Sequence, residues 1–207
     1  MTEKGKLFVF AAPSGAGKTT LVHAIVTKHP ELRFSISYTT RKPRRNEANE
    51  VDYLFVSKEE FMRLRDAGEM LEYAEVFDNY YATSRSQVER HLADNRSVVL
   101  EIDWQGARQV RESMPDCVSV FILPPSIDEL ERRLRNRRTD SEEVIERRLR
   151  DAQSDMSHWR EFDHVIINDD LDKAVLELEA VLQGRGEATS TKNRALRRKV
   201  LRIVRGD

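Results

Sequence analysis

The sequence predicts an α/β protein with a parallel sheet covered on both faces. Three observations predict it. Apolar, strand-patterned segments alternate with amphipathic, helix-patterned ones along most of the 207 residues. A glycine-rich turn, Ala12 to Thr19, joins the first strand to the first helix. The stretch from Ser37 to about Arg90 breaks the alternation, which predicts an inserted lobe.

Each element follows from its local pattern. Leu7 to Ala11 is a continuous apolar run and reads as a buried strand. A helix from about Gly17 to Lys28 ends before Pro30. Phe34 to Tyr38 reads as a strand, Arg41 to Val51 as a polar loop, and Tyr53 to Val56 as a short strand. Ser57 with Glu60 is a capping-box pattern that opens a helix to about Asp66. Met70 to Phe77 alternates loosely as a strand does, and Ser84 with Gln87 opens a helix to about Asn95. Ser97 to Asp103 and Val118 to Leu123 read as central strands. Ser126 and Glu129 cap a helix whose Ile127, Leu130 and Leu134 share one face. A charged helix from about Ser141 to Trp159, a strand His164 to Ile167 and a helix Leu171 to Leu182 complete the body.

Composition bounds the function. The net charge is −1, but residues 185–207 hold eight Lys/Arg and two Asp/Glu, so the tail carries +6 and residues 1–184 carry −7. Net charge therefore gives no basis for nucleic-acid binding. Cys117 is the single cysteine, so no intramolecular disulfide forms, which fits a reducing compartment. The run Leu7 to Pro13 is too short for a membrane span. These features predict a cytoplasmic protein with no membrane or nucleic-acid partner; self-association is left open. The five histidines are dispersed and provide no zinc-type ligand set. In the tail, Leu196, Val200 and Ile203 recur at helical spacing. The tail reads as a peripheral extension or a helix resting on the acidic body, dispensable for activity, with RNA or membrane-surface contact as the sharper and less favoured alternative.

The turn Ala12-Pro13-Ser14-Gly15-Ala16-Gly17-Lys18-Thr19 matches the P-loop pattern G-x-x-x-x-G-K-[ST], with Ala12 in place of the first glycine. Glycines let backbone N–H groups turn inward as an anion nest, and the helix that follows directs its positive end at the phosphates. Residues 12–20, Thr20 included, are the expected ATP-binding loop. Lys18 is expected to reach the β- and γ-phosphates and the Thr19 hydroxyl to bind Mg²⁺. This motif alone does not name the second substrate.

Further segments carry a more specific likeness. Ser37-Tyr38-Thr39-Thr40-Arg41-Lys42-Pro43-Arg44 resembles the S-x-T-T-R-x-P-R segment of guanylate kinases. So do Asp52-Tyr53, Leu71-Glu72-Tyr73-Ala74, Asn79-Tyr80-Tyr81, Ile102-Asp103-Trp104-Gln105-Gly106 and Val165 to Asp170, in family order over roughly residues 6–183. The resemblance implies a three-layer P-loop kinase fold over residues 1–184, with a GMP-binding lobe at about 37–90 and a helical lid at about 134–156. The implied reaction moves the γ-phosphoryl group of ATP to GMP, with Mg²⁺ as cofactor.

The resemblance also implies roles. Arg41, Arg44, Tyr53 and Tyr81 match the residues that hold the GMP phosphate. Ser37, Glu72, Thr83 and Asp103 match those around the guanine. Arg137 and Arg148 match the catalytic lid arginines, and Asn168 lies where the family places the ATP base. Taken as residues alone, these positions also admit ordinary readings: paired arginines on charged helices, packing tyrosines, a surface Glu72 and an Asp103 helix cap. Two other functions stay open at this point. One is a related P-loop kinase acting on ribose bisphosphate; the other is a non-catalytic guanylate-kinase-like binding module.

The sequence departs from the family at several glycines: Asn46, Glu50, Asp78, Ala82, Asn136 and Arg138 stand at those positions. Asn tolerates a left-handed backbone, so Asn46 and Asn136 are mild changes. Ala82 and Arg138 are expected to matter more, Ala82 by placing a methyl group near the GMP site. Retained activity with an altered KM for GMP or altered lid closure is the expectation.

Overall fold

The computed structural model describes residues 4–45, 47–76, 78–136 and 141–206. Asn46, Arg137 and Arg138, singled out above, lie outside the described residues. The chain divides into two compact units: Met1–Val9 with Pro30–Val118, and Phe10–His29 with Ser119–Asp207.

In the first unit, β2 (Arg33–Phe34), β7 (Val98–Glu101) and the opening residues of β1 (Leu7–Ala11) lie in that order. β2 and β7 are parallel, with Arg33 opposite Val98. The rest of the unit centres on a four-stranded sheet of order β4-β3-β6-β5: Leu54–Phe55, Tyr38–Thr39, Asn79–Ser84 and Met70–Val76. β6 is antiparallel to both its neighbours, whereas β3 and β4 are parallel. Helix α2 (Lys58–Asp66) covers one face, burying Phe61 against Met70 and Ala82. Helices α3 (Arg85–Ala93) and α4 (Trp104–Ser113) complete the unit.

In the second unit, the end of β1 is followed in the sheet by β8 (Val118–Leu123) and β9 (His164–Ile167), which run parallel with Val120 opposite His164. Around them lie α1 (Lys18–Lys28), α5 (Ile127–Asn136), α6 (Glu142–Met156), α7 (Leu171–Leu182) and α8 (Arg194–Arg205). The apolar stripe read from α5 is used as expected, since Leu130 and Leu134 are buried. Residues 186–206 pack on this unit rather than trailing from it. The Val165 N–H donates to the Thr189 carbonyl at 2.8 Å and the Thr191 N–H to the Asp163 carbonyl at 2.9 Å. Val200 and Ile203 of α8 are buried.

The expected capping serines act as such. The hydroxyls of Ser57, Ser84 and Ser126 accept from the N–H groups of Glu60, Gln87 and Glu129. Other expectations needed revision. The strand Phe34 to Tyr38 is two strands, because Ser35 N–H bonds to the Val99 carbonyl while the Ser37 carbonyl accepts from Leu54 N–H, so the chain changes sheets between them. Strand β6 and helix α4 were not anticipated. The helix expected to run to Trp159 ends at Met156 and tightens into a 3-10 turn, Ser157–Glu161.

Candidate active site

The phosphate loop belongs to the second unit. Its shape comes from two left-handed glycines, Gly15 at φ 90° and Gly17 at φ 88°. Gly17 is the N-cap of α1, so that helix begins on Lys18 with its N–H groups open to an anion. Glycine is required at 17 for a second reason: a Cβ there would collide with the Asn168 side-chain amide. Ala12 shows no left-handed backbone, so this position does not need the motif's first glycine. Lys18 is half-buried and Thr19 is exposed in the first turn of α1.

Asn168 follows β9 and is buried. Its Nδ2 donates to the Ala16 carbonyl at 2.9 Å, and its own N–H donates to the Leu123 carbonyl at 2.8 Å. The side chain expected at the ATP base therefore also holds the phosphate loop. Arg133, which the sequence did not single out, joins the same cluster. Its Nη2 donates to the Asn168 carbonyl at 2.9 Å and its Nη1 to the Ala16 carbonyl at 3.3 Å. Its Nε donates to Glu129 Oε1 at 2.7 Å. The Arg132 and Arg133 guanidinium groups hold the Glu129 carboxyl down to about 2. The i,i+4 spacing of Glu129 and Arg133 is too common on charged helices to have signalled this. Arg148 is half-buried on α6. Arg137 lies outside the described residues.

The expected acceptor residues all belong to the first unit and form two groups. The first is built on an arginine. Arg41 forks onto Glu47, with Nη1 to Oε2 at 2.9 Å and Nη2 to Oε1 at 2.8 Å. The same carboxylate accepts from the Arg44 N–H at 2.7 Å. Glu47 raises the Arg41 pKa and is itself lowered by it. Arg41 Nε is buried without a hydrogen-bond partner among the described residues. The Arg41 guanidinium stacks 5.3 Å from the Tyr53 ring centre, and the Tyr53 and Tyr81 rings meet edge to face at 6.1 Å. Burial raises the Tyr53 pKa. Arg44 itself is exposed. Glu47 was missed as a site residue although it sits between the two quoted tyrosine and arginine segments.

The second group surrounds a buried carboxylate. Glu72 on β5 is 3% exposed. It lies opposite Thr83 on β6, whose hydroxyl donates to Glu72 Oε1 at 2.7 Å. Asp103 is the N-cap of α4, accepting from Gly106 N–H at 2.8 Å. A Cβ on Gly106 would collide with Glu72 Oε2 and lie 3.3 Å from Asp103 Oδ1, so both carboxylates converge at the start of α4. The positive end of that helix favours their charge. Ser37 is half-buried next to β3. Ala82 does not face this group. It is fully buried with Phe61 and Met70 on the other side of the sheet, correcting the expectation of a methyl group at the acceptor site.

A loop of this shape at the N-terminus of the first helix, beside a parallel β-sheet, defines a P-loop nucleotide-binding α/β protein. Comparison with known proteins narrows the class. The guanylate kinase family model matches residues 4–185. A guanylate kinase of Methylococcus capsulatus is 55% identical over 87% of this chain and 88% of its own. One of Alkalilimnicola ehrlichii is 53% identical over 86% and 87%. The crystal structure of guanylate kinase from Anaplasma phagocytophilum superposes with a TM-score of 0.75 at 32% identity, covering 97% of this chain and 96% of that one. The chain belongs to the guanylate kinase family, the nucleoside-monophosphate kinases that phosphorylate GMP with ATP.

Proposed function

We propose that the loop of the second unit binds ATP with Mg²⁺ and that the two acceptor groups of the first unit bind GMP, Arg41 with its tyrosines at the phosphate and Glu72 at the base. The observation that carries this reading is the buried Glu72 carboxylate aligned by Thr83. Guanine offers N1–H and an exocyclic amine side by side, and a carboxylate accepts both. Adenine lacks that donor pair, so Glu72 would stay buried with an unmet acceptor, which is how a polar site rejects an analogue.

The phosphate end supports the same reading. A nucleoside-monophosphate phosphate carries nearly two charges, which suits arginine forks and phenolic hydroxyls. The buried Nε–H of Arg41 is a donor in need of an oxygen. Glu47 supplies an anion to Arg41 and so keeps its guanidinium aligned.

The donor set fits magnesium: one exposed hydroxyl, Thr19, beside a phosphate nest. Magnesium keeps most of its ligands as phosphate oxygens and water, so a single protein oxygen suffices. When bound it supplies charge neutralisation to the ATP phosphates. In the reaction an oxygen of the GMP phosphate, already anionic, attacks the γ-phosphorus. The bond from that phosphorus to the β–γ bridging oxygen breaks, and ADP leaves with the electron pair. No general base is needed. Lys18 and the α1 N-terminus stabilise the charge, with Arg148 and, from the sequence alone, Arg137.

ADP release from ATP and Mg²⁺ across GMP, dGMP, AMP, UMP, CMP and ribose bisphosphate tests this. Turnover confined to the guanine nucleotides is expected. Equal turnover with AMP would refute the role of Glu72.

A further inference from the structure

The C-terminal helix α8 displays five arginines that the phosphoryl-transfer reading does not use. Arg194, Arg197, Arg198, Arg202 and Arg205 are all exposed. At 3.6 residues per turn they fall within an arc of roughly 140° and span about 16 Å of helix. The opposite side is apolar and already used, with Val200 and Ile203 buried and Leu196 and Val204 half-buried.

Among the described residues, none of the five guanidinium groups has a hydrogen-bond or ion-pair partner. Other helices of the same unit behave differently. Arg132 and Arg133 pair with Glu129, Arg135 with Glu131 and Glu142, and Arg150 with Glu146. On α8 such pairing is closed off, because residues 188–206 contain no Asp or Glu. Among the described residues, only the lysine of this helix approaches a carboxylate, Lys199 Nζ lying 4.0 Å from Asp169 Oδ2. Arg194, Arg198 and Arg202 repeat at i,i+4 and repel one another. The helix thus concentrates like charge along one face and neutralises none of it internally.

We propose that this arginine face docks on the phosphate backbone of a nucleic-acid duplex without reading its sequence. Guanidinium forks match phosphate oxygens, and a line of them matches a regular row of phosphates. A lipid surface fits less well, because interfacial helices insert an apolar face and that of α8 is packed in the fold. A single strand also fits less well, because residues 185–207 hold no aromatic side chain on which bases stack. The −7 charge of residues 1–184 confines contact to this face. Net charge pointed away from nucleic acid; the local arrangement of charge points toward it.

The test is fluorescence anisotropy of the full chain with labelled 20-base-pair RNA and DNA duplexes of one sequence. Both are expected to bind at 50 mM KCl within about threefold of each other, since no base or 2′-hydroxyl is read. Five phosphate contacts predict a loss of roughly 500-fold in affinity between 50 and 200 mM KCl. The variant R194Q/R198Q/R202Q/R205Q should flatten the salt slope to about −1, while its melting temperature and GMP turnover stay unchanged. No binding of either duplex at 50 mM KCl, or equal binding by the variant, overturns the proposal. So does tighter binding to phosphatidylcholine–phosphatidylglycerol vesicles than to duplex. Self-association that the same substitutions abolish, without duplex binding, would assign the face to a second copy of this chain and overturn it too.

Discussion

The Asn168 side-chain amide donates to the Ala16 carbonyl at 2.9 Å, tying the end of β9 to the phosphate loop across 152 residues of chain. Asn168→Ala leaves that buried carbonyl with Arg133 Nη1 at 3.3 Å. A lost buried hydrogen bond costs about 1–1.5 kcal/mol, which is up to tenfold in an equilibrium constant. The KM for ATP should rise roughly 5- to 10-fold with the KM for GMP unchanged, read from initial rates with both substrates varied. An unchanged KM for ATP would show that the loop keeps its shape without this bond.

Glu129 gives a pH signature. Its carboxyl is held at about 2 by Arg132 and then Arg133, below the ordinary 4.5. A carboxylate depressed in the folded state contributes stability that is full above 4.5 and fades as pH falls toward 2. Its main partner, Arg132, is 63% exposed and screened by solvent, so the contribution is small, about 1 kcal/mol or less. Glu129→Gln should therefore melt about 2–4 °C below the parent at pH 7. The gap should close between pH 4.5 and 2. A gap equally wide at pH 2.5 and pH 7 would mean the ion pairs do not produce it.

Glu72→Gln keeps an acceptor for the Thr83 hydroxyl but replaces one carboxylate oxygen with a donor. Guanine N1–H and amine then meet one acceptor instead of two. KM for GMP should rise by about 10- to 100-fold, as expected for a hydrogen bond to a charged group. The preference for GMP over AMP should shrink by a similar factor, with the KM for ATP little changed. A constant GMP/AMP ratio would remove Glu72 from base reading.

Much of this was legible in the sequence because it rests on local rules. Serine caps, the Gly15–Gly17 turn and the apolar stripe of α5 each follow from a few adjacent residues. What stayed hidden depends on contacts between distant segments. Strand β6 escaped although it forms a tight hairpin with β5, because Tyr80 and Tyr81 face opposite sides of the sheet and blur the alternation, and its other partner, β3, lies much earlier in the chain. Helix α4 escaped although Asp103 was recognised as a candidate cap. Arg133 escaped because its partners, Ala16 and Asn168, are 117 and 35 residues away.

The family glycine positions separate into strained and unstrained ones, and not as the residue types suggest. Glu50 and Asp78 hold left-handed backbones, at φ 66° and 64°. Ala82 lies in ordinary strand, fully buried against Phe61 and Met70. Glu50→Gly and Asp78→Gly should each stabilise by roughly 1 kcal/mol by relieving that backbone. Ala82→Gly should destabilise by about 1 kcal/mol through lost packing and a freer unfolded chain, leaving the KM for GMP unaltered. Thermal melts and GMP titration of the three variants distinguish these signs. A changed KM for GMP in Ala82→Gly would return Ala82 to the acceptor site.

Residues 186–206 pack on the second unit with α8 as a helix resting on it, one of the two readings the sequence allows, and their expected dispensability for activity is put to the test by truncation. Ser190 bridges His164 in antiparallel fashion, and Thr191 Oγ1 donates to the Phe162 carbonyl at 2.8 Å. This segment therefore closes one edge of β9, and α8 adds buried Val200 and Ile203. Burying each such side chain is worth about 1.5–3 kcal/mol. Removing residues 192–207 should cost stability through α8 alone, whereas removing 185–207 should also open the edge of β9. Because β9 leads into Asn168, the longer truncation should raise the KM for ATP as well as lower the melting temperature, and the shorter one should do only the latter. Two truncations with equal melting temperatures and equal KM for ATP would mean that the edge pairing contributes nothing to the phosphate loop.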